Sequence, residues 1–148
     1  MSTEPAPGLP LSVRLRRLDR RMVALLTAVA LVRPLLSVTG LTDALGRPLT
    51  PLLLTAGISL AWILAVGLSR VREPLLTPVA AGVAYALAAV VLSGVLSPVL
   101  TGELRGPLAR PQAILPMFLV NGVWGAVCGV CALGVRRMRG VDGRGGRS

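Results

Sequence analysis

The chain has 148 residues, a mean hydropathy of +0.74 and 53% hydrophobic residues, a composition typical of membrane proteins. Its net charge is +10, and all 16 basic residues are arginine. We expect no nucleic-acid partner, because aromatic residues make up 3% of the chain and the arginines are grouped at the ends of apolar segments.

The segment before the first apolar run predicts a short amphipathic helix on the membrane surface. Residues 1–10 contain Pro, Ser and Glu without periodicity, and we expect them to be disordered. Within residues 11–21, the side chains of Leu11, Leu15 and Leu18 share one helical face, and arginines occupy much of the rest. Such a helix would lie along the inner leaflet with its guanidinium groups near anionic lipid headgroups. The alternative is a charged start to the first span.

Four long apolar segments then predict an all-α membrane protein with four transmembrane helices in a compact bundle. They cover residues 22–41, 50–68, 75–99 and 113–135. Each approaches or exceeds the roughly 20 residues that a helix needs to cross about 30 Å of hydrocarbon. We therefore expect one transmembrane domain over residues 22–139, followed by a disordered Gly/Arg-rich tail at 140–148.

The distribution of arginine predicts the orientation. Twelve arginines lie in the N-terminal segment, the second connection and the C-terminal tail, against three in the first and third connections. With four spans the twelve fall on one side, so the positive-inside rule places both termini in the cytoplasm. The use of Arg in place of Lys and the richness in Ala, Gly, Pro and Leu indicate a GC-rich bacterial genome. We therefore expect a multi-pass protein of the inner membrane.

The two halves of the chain resemble each other weakly. Residues 25–30 match residues 75–80 at five of six positions. This favours two helical hairpins of the same orientation, related by an axis normal to the membrane. Chance similarity in a chain so rich in Leu, Ala and Val is the alternative.

Five residues predict a polar site near the middle of the membrane. Arg33 lies about 16 Å into the first span when counted from Met22 at about 1.5 Å per residue, and a charge at that depth is by default a functional-site hypothesis. Pro34 follows and frees the carbonyl of Ala30. Counting depth along the spans places Ser59, Trp62 and Tyr85 at levels comparable to those of Asn121 and Trp124. The candidate site that follows comprises Arg33, Trp62, Tyr85, Asn121 and Trp124.

This constellation has a functional and a structural interpretation. The functional one is a binding or transport site for a lipid-like or anionic small molecule. In the structural one, Asn121 makes an interhelical hydrogen bond, the aromatic rings fill gaps between helices, and Arg33 extends to the outer interface.

Small residues predict close helix packing. On the fourth span Gly122, Gly125, Gly129 and Ala132 form one stripe at spacings of three, four and three; the second span offers Gly57 and Ala61. Such residues allow two helix backbones to approach closely, either within the bundle or between protomers.

Cys128 and Cys131 form a C-x-x-C pair in the fourth span. Small buried apolar residues are the ordinary explanation, and a redox pair is the alternative. The number of spans resembles that of four-helix membrane oxidoreductases that pass electrons between disulfides and quinone, but those proteins generally need a second cysteine pair. This chain has 2 cysteines in all.

These observations favour a non-enzymatic protein without metal or cofactor, because no Asp, Glu, His or Lys lies in any predicted span. The leading hypothesis is a subunit or scaffold of a membrane assembly, as a homo-oligomer or with a membrane-protein partner. The second is binding or transport of a lipid-like or anionic small molecule at the site around Arg33. The third is a thiol/quinone redox protein that uses Cys128 and Cys131.

Overall fold

The structure is a computed structural model, and it describes residues 8, 10–38, 46, 48–104 and 106–142. Within these residues all regular structure is helical, which agrees with the predicted all-α class. Several predicted features lie outside the described residues: most of the N-terminal tail, the end of the first span with most of the first connection, Arg47, Arg105 and residues 143–148.

Five α-helices make up most of the described chain. They are α1 (Leu11–Arg16), α2 (Arg20–Val38), α3 (Leu49–Leu68), α4 (Leu76–Thr101) and α5 (Ile114–Asp142). Among the described residues, three segments are long and apolar enough to cross a membrane: Leu49–Leu68, Leu76–Thr101 and Pro111–Gly140. The chain is therefore helical and has the composition and helix lengths of a membrane protein.

The predicted amphipathic segment 11–21 is divided between two helices. α1 ends at Arg16 and α2 begins at Arg20. Between them, the Asp19 carboxylate accepts hydrogen bonds from the backbone N–H of Arg21 at 3.0 Å and of Met22 at 3.4 Å. A carboxylate at this position satisfies free N–H groups of the first turn, so Asp19 explains why α2 begins there.

The connection between α4 and α5 contains short helical turns. Gly102 ends α4 with φ of 70°, a left-handed conformation that favours glycine. Two short 3₁₀ helices follow, Pro107–Ala109 and Pro111–Ala113. Each begins with proline, whose fixed φ suits the first position of a helix and whose missing N–H is not needed there.

The four long helices contact one another in several pairs. α4 packs most extensively against α5, α5 also packs against α3, and α2 packs against α4; α2 and α3 touch along a shorter stretch. A β-carbon on Gly125 would lie 2.3 Å from the Pro78 carbonyl oxygen, and one on Gly82 would lie 2.3 Å from the Asn121 carbonyl oxygen. The absence of side chains at these two glycines therefore sets the close approach of α4 and α5.

Three arginine contacts bring one set of chain segments together. Arg14 on α1 pairs with Glu73 in the α3–α4 connection, with Nη2 and Oε2 2.7 Å apart, and this carboxylate raises the pKa of Arg14 above its ordinary value. Arg136 donates to the Ser69 carbonyl, and Arg139 donates to the Leu68 carbonyl at 3.2 Å. These two arginines satisfy carbonyls at the end of α3.

We call this end of the molecule the basic end. It comprises α1, the α3–α4 connection and the last turns of α5. Ten of the arginines that the sequence assigned to one side of the membrane are described by the structure. They belong to these three segments, to the α1–α2 junction and to the start of α2: Arg14, Arg16, Arg17, Arg20, Arg21, Arg70, Arg72, Arg136, Arg137 and Arg139.

The hydrophobic core lies in the half of the molecule next to the basic end. Its buried members come from all four long helices: Leu26, Ala30, Trp62, Val66, Ala81, Cys128 and Ala132. In the opposite half, no described residue of α3 before Trp62, of α4 after Ala86 or of α5 before Gly125 is buried. The helices are therefore closely packed near the basic end and more loosely packed beyond it.

Candidate functional site

A small cavity lies where the packed half of the molecule meets the loose half. Its volume is about 60 Å³. Its lining comes from all four long helices: Ala30, Arg33, Thr55, Ile58, Ser59, Trp62, Tyr85, Asn121 and Trp124. We refer to it as the central cavity.

All five residues of the predicted mid-membrane site line the central cavity. Each long helix contributes at least one of them: Arg33 from α2, Trp62 from α3, Tyr85 from α4, and Asn121 and Trp124 from α5. The structure therefore brings this constellation together in space.

Two further polar residues of the lining were not among the predicted site residues. Thr55 and Ser59 stand seven and three positions before Trp62, so all three share one face of α3. This spacing was visible in the sequence and identifies the face of α3 that points inward. Ile58 belongs to the same face and supplies an apolar wall.

Trp62 forms the floor of the cavity on the side of the basic end. Its side chain is 4% exposed, and its indole Nε1–H donates to the Leu26 carbonyl on α2 at 3.0 Å. Buried indole groups are stable where the N–H has such a partner. Trp62 and Leu26 therefore join α2 to α3 and separate the cavity from the basic end.

Most other donors of the lining are already used within the protein. Trp124 Nε1–H donates to Ser59 Oγ at 2.9 Å, and Ser59 in turn donates to the Thr55 carbonyl at 2.7 Å. Thr55 donates to the Pro51 carbonyl at 2.9 Å, and the Asn121 amide donates to the Met117 carbonyl at 2.7 Å. These bonds fix the orientations of the polar side chains around the cavity.

Arg33 and Tyr85 are the exceptions. Within the described part of the chain, neither the Arg33 guanidinium nor the Tyr85 hydroxyl has a hydrogen-bond partner, and Arg33 has no carboxylate partner. Both residues line the central cavity, Arg33 from α2 and Tyr85 from α4. The cavity thus carries a positive charge and a hydroxyl donor, both suited to an anion.

Replacement of Trp62 by phenylalanine is expected to lower the free energy of unfolding by about 0.6–2 kcal/mol, because it removes the hydrogen bond to Leu26 between two membrane helices. Replacement by alanine also removes the buried ring and should cost about 3–5 kcal/mol. Unfolding in mixed detergent micelles, followed by circular dichroism, measures both. Trp124→Phe also removes an interhelical hydrogen bond, to Ser59, but at a position that is 46% exposed, so its loss should cost less. Unchanged stability of Trp62→Phe would contradict this role of Trp62.

The predicted packing residues fall into two groups. Gly125 and Gly129 face α4: a β-carbon would meet Pro78 or Leu75 at 3.0 Å or less, and Ala132 is fully buried in the core. A β-carbon on Gly122 would lie 3.9 Å from the Val83 side chain, which is an ordinary van der Waals contact. In contrast, Gly57 and Ala61 lie on the exposed side of α3, and a β-carbon on Gly57 would meet nothing within 4 Å.

The two cysteines point in different directions. Cys128 is buried in the core, whereas Cys131 is exposed, and both are free thiols. Among the described residues, no group of His, Cys, Asp and Glu is arranged to hold a metal ion. The arrangement gives the two thiols different surroundings and offers no specific support for a redox site.

Comparison of the chain with models of protein families, with curated proteins and with solved structures finds no match.

Proposed function

We propose that this protein is a four-span membrane protein that binds a small monovalent anion, of the size of a halide, in the central cavity. The observation that carries the proposal is the Arg33 guanidinium, which lines a cavity between the four long helices without a carboxylate partner among the described residues. Arg33 is exposed in the isolated chain. In the proposed membrane arrangement a cation at this depth costs about 2.5–3.5 kcal/mol on insertion scales, and a bound anion would offset that cost.

The proposed membrane arrangement places α2 beside the three longer apolar segments. α2 has 19 residues and would extend about 28 Å, close to the thickness of the hydrocarbon core. It packs against α4, which is itself long and apolar enough to span. With four spans, the basic end lies at the cytoplasmic surface, as the positive-inside rule requires, and the four helices form a bundle.

The volume of the cavity supports a small ligand. A cavity volume of about 10–15 Å³ is enough for one water molecule. The central cavity, with about 60 Å³, therefore has room for a halide ion and a few waters. Sites for drug-sized ligands measure about 300–1,000 Å³. A lipid-like ligand is therefore a poor fit for this cavity.

Access in the proposed arrangement is from the outer side of the membrane. Trp62, Leu26 and the rest of the buried core lie between the cavity and the basic end. On the opposite side of the cavity, no described residue of α3 before Trp62, of α4 after Ala86 or of α5 before Gly125 is buried. The proposal is therefore a binding site open to one side, and passage of an anion across the membrane would require the core to rearrange.

Tryptophan emission tests this proposal, because both tryptophans of the chain line the cavity. We expect iodide to quench part of the emission with a saturable dependence on concentration, and chloride to reverse that part by competition. Collisions with Trp124, which is 46% exposed, add a linear component, and neutral acrylamide reports that component alone. Iodide quenching that is entirely linear, or that chloride does not reverse, would contradict anion binding in the cavity.

A second candidate function is that of a subunit in a membrane assembly, and the exposed face of α3 favours it. Gly57 and Ala61 have the small-x-x-x-small spacing of close helix contacts but are not used within the described protein. We propose that this face contacts a second copy of the chain. Gly125, in contrast, is already engaged with α4 inside one chain.

Replacement of Ala61 by leucine is expected to weaken self-association by about tenfold, or about 1.4 kcal/mol, because it prevents close approach at this face. Energy transfer between labelled copies in vesicles measures the association. Gly134→Leu is the matched control, since Gly134 is also exposed on a long helix with nothing within 4 Å of an added β-carbon. Equal association of Ala61→Leu and wild type would exclude this face as the contact.

A further inference from the structure

We propose that the groove between α2 and α4 binds one acyl chain of an anionic phospholipid from the surrounding bilayer, with its phosphate at Arg20. The groove lies on the outer surface of the molecule near the basic end and has a volume of about 510 Å³. It is separate from the central cavity. The inference depends on the proposed placement of α2 in the membrane and does not depend on anion binding at Arg33.

Small side chains keep the groove open. Ala24 and Ala28 of α2 and Ala80 and Ala84 of α4 line it, and the larger Leu31 lies at its deep end. No charged residue other than Arg20 belongs to this lining. A long apolar channel of this kind suits a hydrocarbon chain and does not suit a polar ligand.

The length of the groove matches one leaflet. Arg20 and Leu31 are eleven positions apart on α2, which corresponds to about 16 Å along the helix axis. One leaflet of a bilayer with a core of about 30 Å contributes about 15 Å of hydrocarbon. An acyl chain that begins at the level of Arg20 would therefore end near Leu31.

The charges at the mouth of the groove favour an anionic headgroup. Arg20 is exposed and, within the described residues, has no carboxylate partner; Arg16 and Arg17 are also exposed at this end. Asp19 is the nearby acid in the chain, and its carboxylate accepts from the backbone N–H of Arg21 and Met22. No ion pair joins Asp19 to Arg20 among the described residues, so the Arg20 guanidinium is available to a phosphate.

The headgroup end also has an apolar cover. Leu15 and Leu18, on and after α1, belong to the lining of the groove, and Arg14 of the same helix is held to Glu73 at 2.7 Å. The ion pair therefore anchors α1 where its leucines extend the apolar wall to the membrane surface. An amphipathic segment at this level lies in the interface, beside the lipid glycerol and headgroups.

Native mass spectrometry of the full-length protein, released from vesicles that mix phosphatidylglycerol and phosphatidylcholine, tests the proposal. We expect the wild-type protein to retain one phosphatidylglycerol in preference to phosphatidylcholine. Arg20→Gln should lower this retention about fivefold, the effect of losing about 1 kcal/mol of attraction at an anionic surface. Arg137→Gln is the charge control, since Arg137 is exposed at the same end but lies outside the groove lining. Equal losses for these two variants would indicate diffuse attraction and overturn the proposal.

Ala28→Phe is expected to fill the groove and reduce retention about tenfold, while Ala56→Phe, at an exposed position of α3 outside the groove lining, should leave it unchanged. Equal retention by the two variants would also overturn the proposal. A comparison on the wild-type protein avoids any effect of substitution on folding. Phosphatidylglycerol with 16-carbon chains should be retained in preference to the form with 6-carbon chains, and equal retention would exclude an acyl-chain site.

Discussion

Replacement of Gly125 by alanine is expected to lower the free energy of unfolding by about 1–3 kcal/mol, and by more if the backbones of α4 and α5 must separate. The added β-carbon would lie 2.3 Å from the Pro78 carbonyl oxygen and 2.9 Å from Val79 Cα. Both atoms belong to the backbone of α4, so no side-chain rotation can relieve the contact. Gly82→Ala should act similarly, because its β-carbon would lie 2.3 Å from the Asn121 carbonyl oxygen.

Gly134→Ala is the control for this prediction, since Gly134 also lies in the middle part of α5 but has nothing within 4 Å of an added β-carbon. Alanine there should be neutral or stabilise the helix by up to about 1 kcal/mol, because it has the higher helix propensity. Unfolding in mixed detergent micelles, followed by tryptophan emission, compares the two variants. Equal stability of Gly125→Ala and Gly134→Ala would show that α4 and α5 do not meet as closely as described.

Replacement of Arg33 by glutamine is expected to weaken anion binding about 10- to 150-fold, which corresponds to the loss of about 1.5–3 kcal/mol from a charged hydrogen bond. In the iodide titration, the saturable part of the quenching should move to higher concentration by this factor or disappear. Arg33→Lys keeps the charge but loses the planar arrangement of donors, so we expect a smaller loss. The linear part, which reports exposure of Trp124, should not change.

Arg110→Gln provides the control for charge, because Arg110 is exposed near the start of the Pro111–Gly140 segment and lies outside the cavity lining. It should leave the iodide titration unchanged. Asp43 lies outside the described residues. The variant Asp43→Asn tests whether the Asp43 carboxylate competes with an anion for the Arg33 guanidinium. Anion binding that Arg33→Gln leaves intact, or that appears only in Asp43→Asn, would contradict the proposed site.

Depth along the spans could be read from the sequence because each helical residue advances the chain by about 1.5 Å. Counting along the apolar segments placed Trp62 and Tyr85 at a level comparable to that of Asn121, and the structure has all three in the lining of one cavity. The grouping of arginines likewise indicated which segments share an end. The contacts of Arg14, Arg136 and Arg139 bring those segments together.

The face of each helix was harder to predict, because a membrane span is apolar on all sides and lacks the polar stripe that orients a helix in a soluble protein. Gly57 and Gly125 have similar sequence surroundings, each in an apolar run with a small residue four positions on. In the structure Gly125 contacts α4 at backbone distance, whereas Gly57 is exposed. Only the packing of the helices against one another distinguishes the two.

The residues at which helices begin and end depend on side-chain contacts, which the apolar pattern of the sequence does not reveal. The predicted fourth span ended at residue 135, but α5 continues to Asp142. Arg136 and Arg139 belong to this extension and donate to carbonyls at the end of α3. Similarly, the capping carboxylate of Asp19 separates α1 from α2 within a segment that hydrophobic spacing had read as one helix.

Anomalous scattering from crystals of the protein grown with bromide or iodide tests the central claim most directly, because it locates a bound anion by position. We predict one strong peak inside the central cavity, within hydrogen-bond distance of the Arg33 guanidinium, and its loss in Arg33→Gln. Peaks confined to the arginines of the basic end, with none in the cavity, would contradict the assignment of the central cavity as an anion site.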